Sequence, residues 1–242
     1  GFMKLYDGAV FYHIYPIGMT GAPRTNTFEA GENRLNKLLD WLPHIKAIGC
    51  DAIYIGPLFE SVAHGYETAD YKKLDSRLGD NNDLINFVKA CHEIGIKVIV
   101  DGVFNHVGRE FFAFKDLKEH RENSAYKDWF KNLHFDWNND YNDGLYYDSW
   151  DGHGTLVNLN HQNPAVREYM LDVVRFWIRE FDIDGIRFDV GNEVSHRFLK
   201  KIREHLKAIK PDIYLLGEIW HDAIQWLKGD EYDSVMNYPL LS

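Results

Sequence analysis

Short apolar runs, rich in β-branched and aromatic residues, recur along the chain and alternate with segments of helical periodicity. The runs occupy residues 9–18, 51–57, 96–104, 184–190, 212–220 and 233–238. Because they are apolar on both faces, they predict strands of a parallel sheet that is covered by helices. The repeated order of strand, helix and strand predicts βαβ units and therefore an α/β fold.

The segments between the runs carry the start and stop signals of helices. An apolar stripe over residues 35–45 predicts a helix that Pro43 should kink or divide. A later helix should end at Gly95. Asn163 followed by Pro164 predicts the N-cap and the first position of a long helix.

One polar and aromatic segment, residues 107–160, interrupts this rhythm between the third predicted strand and the helix that should follow it. Segments of this length inside a compact domain are usually functional or form a small subdomain, so we predict an inserted domain. The flanking residues, 1–106 and 161–242, then form the two parts of the main domain.

The main domain has two candidate architectures. An open doubly wound sheet fits the length of 242 residues, but it normally carries a Gly-rich phosphate loop after its first strand, and PIGMTGAPR does not match GxGxxG. A closed (β/α)₈ barrel takes about 250 residues without large insertions, and this sequence offers about six of its eight strands. We therefore predict a (β/α)₈ TIM barrel, incomplete in this chain, with the inserted domain after strand three.

Charged side chains stand at the carboxyl ends of three predicted strands. Arg187 and Asp189 lie two residues apart in one strand, so they face the same way. Asp101 and Glu218 end two other apolar runs. A buried charge needs a partner, so each carboxylate is either a structural ion pair or part of a site. Barrel enzymes place their chemistry at this edge, and three such endings together favour a site.

Two carboxylates across a cleft are the apparatus of glycoside hydrolysis. We expect Arg187 to favour the ionised form of Asp189 and to lower its pKa, which suits a nucleophile. Glu218 has apolar neighbours, so its pKa should be raised and it should hold a proton for the leaving group.

Several motifs at these positions resemble those of one known family. DGVFNH (101–106), GIRFDVGNEV (185–194) and GEIWH (217–221) are similar to three signature regions of the α-amylase family, glycoside hydrolase family 13. HGYETADY (64–71) resembles the family's loop after strand two, and TLVNLN (155–160) resembles a motif near the end of its inserted B domain. The resemblance covers nearly the whole chain.

The resemblance implies a (β/α)₈ barrel with a B domain, here residues 107–160, between strand three and helix three. It also implies a retaining double displacement on α-glucosidic bonds of starch-derived oligosaccharides or cyclodextrins. By position, Asp189 is the nucleophile, Glu218 the general acid/base and Arg187 the residue that positions Asp189.

The same resemblance implies a set of substrate contacts. Asp101 and His106 would support or touch the sugar beside the scissile bond, and Tyr66 would stack on its ring. Trp220 and His221 follow the predicted acid/base and are expected to bind substrate as well. The partner of the protein would therefore be an α-glucan or maltooligosaccharide.

Within the family, VGNEV and VMNYPL are most similar to neopullulanases and cyclomaltodextrinases. Val157 and Asn158 depart from that subgroup, which usually has proline and lysine there. The choice among cyclodextrin, pullulan and linear maltooligosaccharide therefore stays open, as do transglycosylation and the oligomeric state. The family's fourth signature, an Asn-His-Asp motif that supplies a third carboxylate, is absent from the sequence. We expect an N-terminal fragment that is nearly inactive alone.

Composition opposes several other functions. A net charge of −10 argues against binding to nucleic acid or to an anionic membrane, since both need a basic patch. No apolar run reaches the ~18 residues of a membrane span, and the first residues lack the pattern of a signal peptide, so a cytoplasmic location is expected. Cys50 and Cys91 suggest neither a disulfide framework nor a metal site.

No cofactor is expected. The sequence contains no HExxH, which opposes catalytic zinc. Asn105 matches a calcium ligand of many α-amylases and residues 136–151 offer oxygen ligands, but a structural calcium is not expected in this subgroup. A metal-dependent barrel hydrolase and a non-catalytic glycan-binding relative remain as alternatives. Chelator sensitivity would identify the first, and loss of a carboxylate is typical of the second.

Overall fold

The computed structural model describes residues 2–4, 10–189, 194–217 and 234–235, with side chains in the two longer ranges from residue 11 onwards. Its strands are β1 (Phe2–Lys4), β2 (Val10–Ile14), β3 (Ala52–Ile55), β4 (Phe59–Ser61), β5 (Thr68–Leu74), β6 (Lys97–Val103), β7 (His106–Val107), β8 (Val157–Asn158), β9 (Gly185–Asp189), β10 (Tyr214–Gly217) and β11 (Ser234–Val235). Its α-helices are α1 (Pro16–Met19), α2 (Leu42–Ala47), α3 (Asn81–Glu93), α4 (Phe112–His120), α5 (Pro164–Phe181) and α6 (His196–Ile209). Short 3₁₀ helices cover Leu35–Trp41, Arg121–Asn123 and Lys127–Trp129.

The central sheet has the spatial order β1, β2, β3, β6, β9, β10, β11. Neighbouring strands from β2 onwards are parallel. A doubly wound sheet reverses its strand order at one point, whereas here the spatial order follows the chain, as it does in a (β/α)₈ barrel. The predicted α/β barrel fold is confirmed, and the six predicted strands contain β2, β3, β6, β9, β10 and β11.

Two details of the sheet differ from the prediction. The first run was expected to be a strand over residues 9–18, but β2 ends at Ile14 and α1 begins at Pro16, because proline suits the first position of a helix. The sequence also gave no sign of β1, which pairs antiparallel with β2 at the sheet edge.

The helix signals act as predicted. The stripe over residues 35–45 is divided into a 3₁₀ helix and α2, with Pro43 at the start of α2. Helix α3 ends at Glu93, and Gly95 follows in the left-handed region with φ of 76°. The Asn163 side chain accepts a hydrogen bond from the Ala165 N–H and so caps α5. Across the described ranges, no helix combines the length and apolarity that a membrane crossing requires.

The two faces of the sheet are packed differently. One face joins the helices in a large apolar core that includes Trp177 and Phe181 of α5. The other face carries a small separate cluster, namely Phe11, Ala52, Tyr54, Ile99 and Leu216. Arg187 on β9 lies opposite Leu216 on one side and Asp101 on the other. It therefore stands on the second face, which is the interior face of a barrel.

The segment predicted as an inserted domain leaves and rejoins the barrel through one short ladder. Strands β7 and β8 pair antiparallel, with His106 opposite Asn158 and Val107 opposite Val157. Between them lie α4, two 3₁₀ helices and long turns. Its limits at residues 107 and 160 stay a prediction.

Arg109 ties the later turns of this segment to its start. The guanidinium forms an ion pair with Asp143 and lies 3.8 Å from the ring centre of Tyr141. Its Nη1 also donates to the hydroxyl of Tyr147 at 2.5 Å. These contacts order a stretch of sequence that lacks periodic structure.

A hairpin that the sequence did not predict follows the second parallel strand. Strands β4 and β5 pair antiparallel with two irregularities of register. The loop between them, residues 62–67, was expected only as a loop resembling a family motif. The hairpin matters here because it carries Tyr66.

Candidate active site

A buried ion pair lies where β6 and β9 run side by side. The Nη1 of Arg187 is 2.6 Å from Oδ1 of Asp101, and their side chains are only 6% and 2% exposed. The same nitrogen donates to the hydroxyl of Tyr54 on β3 at 3.2 Å. Arg187 therefore joins three neighbouring strands at the interior face of the sheet.

Asp189 follows Arg187 on the same face at the carboxyl end of β9. Burial raises the pKa of Asp189 to about 6; the positive charge of Arg187 opposes that rise and the carboxylate of Asp101 adds to it. The expectation that Arg187 lowers the pKa of Asp189 is correct for that one interaction but wrong for the net result. Burial dominates, and the charge of Arg187 is shared with Asp101.

Tyr66 stands over this group of charges. Burial, with the carboxylates of Asp101 and Asp189 adding to it, raises the pKa of Tyr66 to about 12, so its hydroxyl stays protonated at neutral pH. The residue is 41% exposed, which leaves part of its ring open to a ligand. Gly65 before it has φ of 102°, and a Cβ there would lie 2.1 Å from Cγ of Pro57. Glycine thus allows the loop to bring Tyr66 close to β6.

His106, the first residue of β7, borders the site. It is 4% exposed, and its Nε2 has no hydrogen-bond partner among the described residues. Burial lowers the pKa of His106 to about 4, so the ring is neutral at pH 7. A buried polar atom without a partner costs free energy, and such atoms are typical of functional sites or of places where a water is bound.

Trp150 is a neighbour of His106 that the sequence analysis did not select. Its ring lies 6.4 Å from that of His106 at an angle of 22°, and it is 59% exposed. The residue belongs to the aromatic stretch 136–151, where no periodicity indicates which rings face the site. Trp150 comes close to His106 because its N–H pairs with the carbonyl oxygen of Leu156, next to the ladder between β7 and β8.

The loop between β6 and β7 is held at several points. The Tyr71 hydroxyl donates to the carbonyl oxygen of Val103 at 2.7 Å. His161 Nε2 donates to the carbonyl oxygen of Phe104 at 2.5 Å, and Phe104 N–H donates to the carbonyl oxygen of Asp189 at 2.9 Å. The backbone of the predicted nucleophile is therefore linked through Phe104 to the end of the inserted segment.

Three predicted site residues, Glu218, Trp220 and His221, lie outside the described residues. Strand β10 ends at Gly217. Of the described residues, the structure brings Asp189, Arg187, Asp101 and Tyr66 into one electrostatic group. His106 borders that group on the side of the inserted segment, where the Asp101 carboxylate also acts on its ring.

The predicted calcium candidate, Asn105, lies on the same loop. Its side-chain Nδ2 is 3.4 Å from Nδ1 of His106, and its carbonyl oxygen accepts a hydrogen bond from Leu159 N–H. Within the part of the chain that the structure describes, no three His, Cys, Asp or Glu side chains are grouped to hold a metal ion. The expectation that no cofactor is used stays a prediction.

Comparison with known proteins relates this chain to one family. The sequence profile described as "Alpha amylase, catalytic domain" matches residues 23–242. A cyclomaltodextrinase from Geobacillus thermopakistaniensis is 45% identical over an alignment of 248 positions, which includes 96% of this chain and 42% of that protein. An intracellular maltogenic amylase from Bacillus subtilis is 40% identical, covering 90% of this chain and 36% of that protein. The chain thus spans less than half of the length of these curated relatives.

A solved structure is also similar to this chain over nearly its whole length. The ligand-free cyclic alpha-maltosyl-(1→6)-maltose hydrolase from Arthrobacter globiformis superposes with a TM-score of 0.81 at 34% sequence identity. The match covers 95% of this chain and 55% of that protein.

Proposed function

Because the chain belongs to the alpha-amylase family, we propose that it is part of an enzyme that hydrolyses α-glucosidic bonds in starch-derived oligosaccharides or cyclodextrins. The observation that carries the proposal is the position of Asp189. Its partly buried carboxylate follows the Arg187–Asp101 ion pair at the carboxyl end of a parallel strand, where barrel enzymes carry their chemistry.

The proposed mechanism is a retaining double displacement. The carboxylate of Asp189 attacks the anomeric carbon while Glu218 protonates the departing glycosidic oxygen. The product is a glycosyl ester on Asp189 and a free sugar hydroxyl. Glu218 then takes a proton from water, whose oxygen attacks the anomeric carbon and breaks its bond to Asp189, so that both carboxyl groups return to their starting forms.

The ion-pair geometry supports the role of Asp189 as nucleophile. A carboxylate in a close pair with arginine is stabilised and so less reactive, whereas the 2.6 Å contact of Arg187 goes to Asp101. With a pKa of about 6, Asp189 is still mostly ionised at pH 7, yet it is poorly solvated. An anion in this state gains from the positive charge that develops on the sugar in the transition state.

The other side chains supply contacts to the sugar bound beside the scissile bond. The exposed part of the Tyr66 ring gives a stacking face. The buried His106 ring lies beneath this region of the site, and the exposed Trp150 extends the aromatic surface beside it. We assign Trp220 and His221 to substrate binding on the basis of the family resemblance alone.

No cofactor enters this mechanism, since carboxyl groups supply both its nucleophile and its acid/base. We expect unchanged activity after treatment with a chelator. We also propose a cytoplasmic location, supported by the 40% identity to an intracellular maltogenic amylase.

Trapping of the glycosyl ester tests the mechanism directly. Attack by Asp189 on 5-fluoro-α-glucosyl fluoride expels the anomeric fluoride and leaves a slowly hydrolysed ester, which peptide mass spectrometry locates. We expect the label on the peptide that contains residue 189, and none in Asp189→Asn. Turnover of maltotriose without any trapped ester would contradict the retaining mechanism.

The test requires a suitable length of chain. The 242 residues contain no Asn-His-Asp motif, so we propose that the chain alone releases little reducing sugar from maltotriose or β-cyclodextrin. A longer chain that includes the motif should release it rapidly. Asp172→Asn, a change at an exposed position on α5, serves as the matched control because it alters the same charge away from the site.

A further inference from the structure

We propose that the inserted segment carries a second glucan-binding site, on the exposed face of Trp137, that binds maltooligosaccharides independently of Asp189. We call Trp137, His134 and Tyr146 the outer platform. The class of ligand rests on the proposed function, whereas the site itself rests on the geometry of the outer platform.

The first observation is a large aromatic ring that is held flat at the surface. Trp137 stacks on His134 with ring centres 3.8 Å apart and an angle of 11°, and Tyr146 meets its edge at 5.1 Å. Trp137 is nevertheless 48% exposed. One face of the indole is covered by His134, so the exposed area lies on the opposite face, where a sugar ring can stack.

The second observation is that the base of the outer platform is ordered by the backbone. His134 N–H donates to Tyr146 O at 3.0 Å, and Tyr146 N–H donates to His134 O at 2.8 Å. Arg121 donates from Nη2 to the carbonyl oxygens of Phe135 and Gly144 at 3.1 and 2.6 Å, which fastens both sides of the turn. A ligand would therefore bind without first ordering the loop.

The third observation is a polar margin beside the ring. His134 Nε2 lies 3.2 Å from Oδ1 of Asn132, and Asn132 Nδ2 donates to Oδ1 of Asp148 at 3.4 Å. A sugar needs both an apolar face and hydrogen-bonding groups at its rim, which this arrangement supplies. Two acids close to Trp137 in the sequence, Asp136 and Asp140, are exposed, and their negative charge opposes phosphate and other anions and suits a neutral ligand.

The fourth observation is continuity with the candidate active site. Residues 148–150 pair with residues 156–158, through Asn158 N–H to Asp148 O and Trp150 N–H to Leu156 O. In such an extended stretch residues two apart share a face, so Asp148 and Trp150 point the same way. The polar margin of the outer platform thus leads towards the ring that stands beside His106. This favours a glucan over an unrelated protein as the ligand.

The test is a titration of the isotopically labelled chain with maltoheptaose, followed through the indole N–H signals of its seven tryptophans. The signal missing from Trp137→Ala identifies Trp137. We expect that signal to shift with maltoheptaose but not with the β-linked cellohexaose. Affinity in Trp137→Ala should fall by about threefold to tenfold, the usual worth of an aromatic face, and Trp137→Phe should keep most of it.

The matched control is Trp41→Ala. Trp41 is 45% exposed and also has a histidine neighbour, but His44 meets it edge-on at 6.3 Å and 74°. The two tryptophans therefore differ in the geometry of their histidine contact rather than in exposure. Trp41→Ala should leave the affinity for maltoheptaose unchanged. Thermal unfolding of all three variants confirms that they are folded.

Two results would overturn the inference: an unmoved Trp137 signal, or equal affinity of Trp137→Ala and the parent chain. A change of self-association in Trp137→Ala, without a change in affinity, would show that a second copy occupies the ring. If turnover depends on Asp189 but the Trp137 signal does not shift, the proposed function is supported and the outer platform is contradicted. A Trp137 shift without any turnover in a longer chain supports the outer platform and contradicts the proposed function.

Discussion

Two buried arginine–aspartate pairs in this molecule look alike in composition and differ in what surrounds them. Arg77 and Asp75 are 4% and 0% exposed, and both oxygens of Asp75 accept from the guanidinium at 2.9 Å. Arg187 and Asp101 are 6% and 2% exposed, and one nitrogen of Arg187 lies 2.6 Å from one oxygen of Asp101. Beside the second pair lies a further carboxylate, that of the partly buried Asp189, and both members of the pair act on its pKa.

The remaining contacts of Arg77 show what the first pair does. Its Nη1 donates to the carbonyl oxygens of Pro23 and Ala63 at 2.8 and 2.7 Å, and its Nη2 donates to the hydroxyl of Ser61 at 3.2 Å. The two side chains thus neutralise each other's charge, and Arg77 links the loops that contain Pro23 and Ala63.

The difference teaches how to separate a structural ion pair from one that belongs to a site. In the Arg77 pair the charges are matched and the carboxylate is fully bonded, so removing either partner leaves a buried charge uncompensated. At Arg187, within the described part of the chain, the carboxylates of Asp101 and Asp189 both interact with one guanidinium. The excess negative charge and burial together raise the pKa of Asp189, which is typical of a functional group.

The largest expected effect is on turnover at Asp189. In a longer chain that contains the family's fourth motif, Asp189→Asn should lower kcat by about 10⁴-fold, because the amide cannot form the glycosyl ester. Asp75→Asn should lower activity only as far as it lowers the folded fraction. Initial rates on maltotriose below the unfolding temperature would measure both. Equal losses in the two variants would remove the distinction between the pairs.

The next effect is on stability at Asp75. Asp75→Asn leaves Arg77 buried without its carboxylate, so we expect the free energy of unfolding to fall by about 3–5 kcal/mol. Urea denaturation at pH 7, analysed for midpoint and slope, would measure it. A loss below about 1 kcal/mol would mean that the backbone carbonyls alone compensate Arg77.

The third prediction has the opposite sign. The pKa of Asp189 is raised from 3.8 to about 6 in the folded chain. The folded state therefore binds the proton more tightly, and the stability this gives below pH 4 is lost as pH rises through 6. Asp189→Asn should thus raise the free energy of unfolding by about 2–3 kcal/mol at pH 7 and change it little near pH 4.

Melting temperatures of the parent and of Asp189→Asn, measured from pH 4 to pH 8, would test this. The two curves should separate between about pH 4 and 6 and then run parallel. A variant that is less stable than the parent at pH 7 would show that Asp189, like Asp75, is held by its partners.

The smallest effect is expected at an exposed pair. Lys46 and Asp51 are 2.6 Å apart, but their side chains are 42% and 77% exposed. Asp51→Asn should change the free energy of unfolding by less than about 1 kcal/mol, because water screens the pair. The same urea series would include it, and a larger loss would show that distance rather than burial governs these pairs.

Local signals in the sequence predicted the elements of the fold. Proline, glycine and asparagine predicted the division at Pro43, the helix end near Gly95 and the cap at Asn163. Each of these residues determines the backbone conformation or hydrogen bonding at its own position, so no distant contact is needed. The parallel strands were identified from uninterrupted apolar runs. The hairpin of β4 and β5 was missed because its register is irregular and its burial does not alternate.

The sequence predicted candidate residues for the site but not the contacts between them. The spacing of Arg187 and Asp189 placed them on one face, and the structure confirms this face as the interior one. The partner of Arg187 was not predictable, because Asp101 comes from another strand whose register depends on the whole sheet. The net pKa of Asp189 likewise depends on burial, which two neighbouring residues in the sequence do not reveal. Trp137 and Trp150 lie in turns without periodicity, so their exposure follows only from the tertiary structure.

The ladder of β7 and β8 has a consequence for how the barrel accommodates its insertion. Two residue pairs hold the ends of the excursion one strand spacing apart, which is about 5 Å. Beyond that ladder, the entropy of closing the loop grows only with the logarithm of its length, and doubling the length costs about 0.6 kcal/mol. Residues can therefore be added, removed or exchanged on the far side of the ladder while the ends of β6 and α5 keep their separation. The inserted segment therefore costs the barrel little more than a short connection would. The ligand-binding surface proposed on this segment can vary at nearly constant stability.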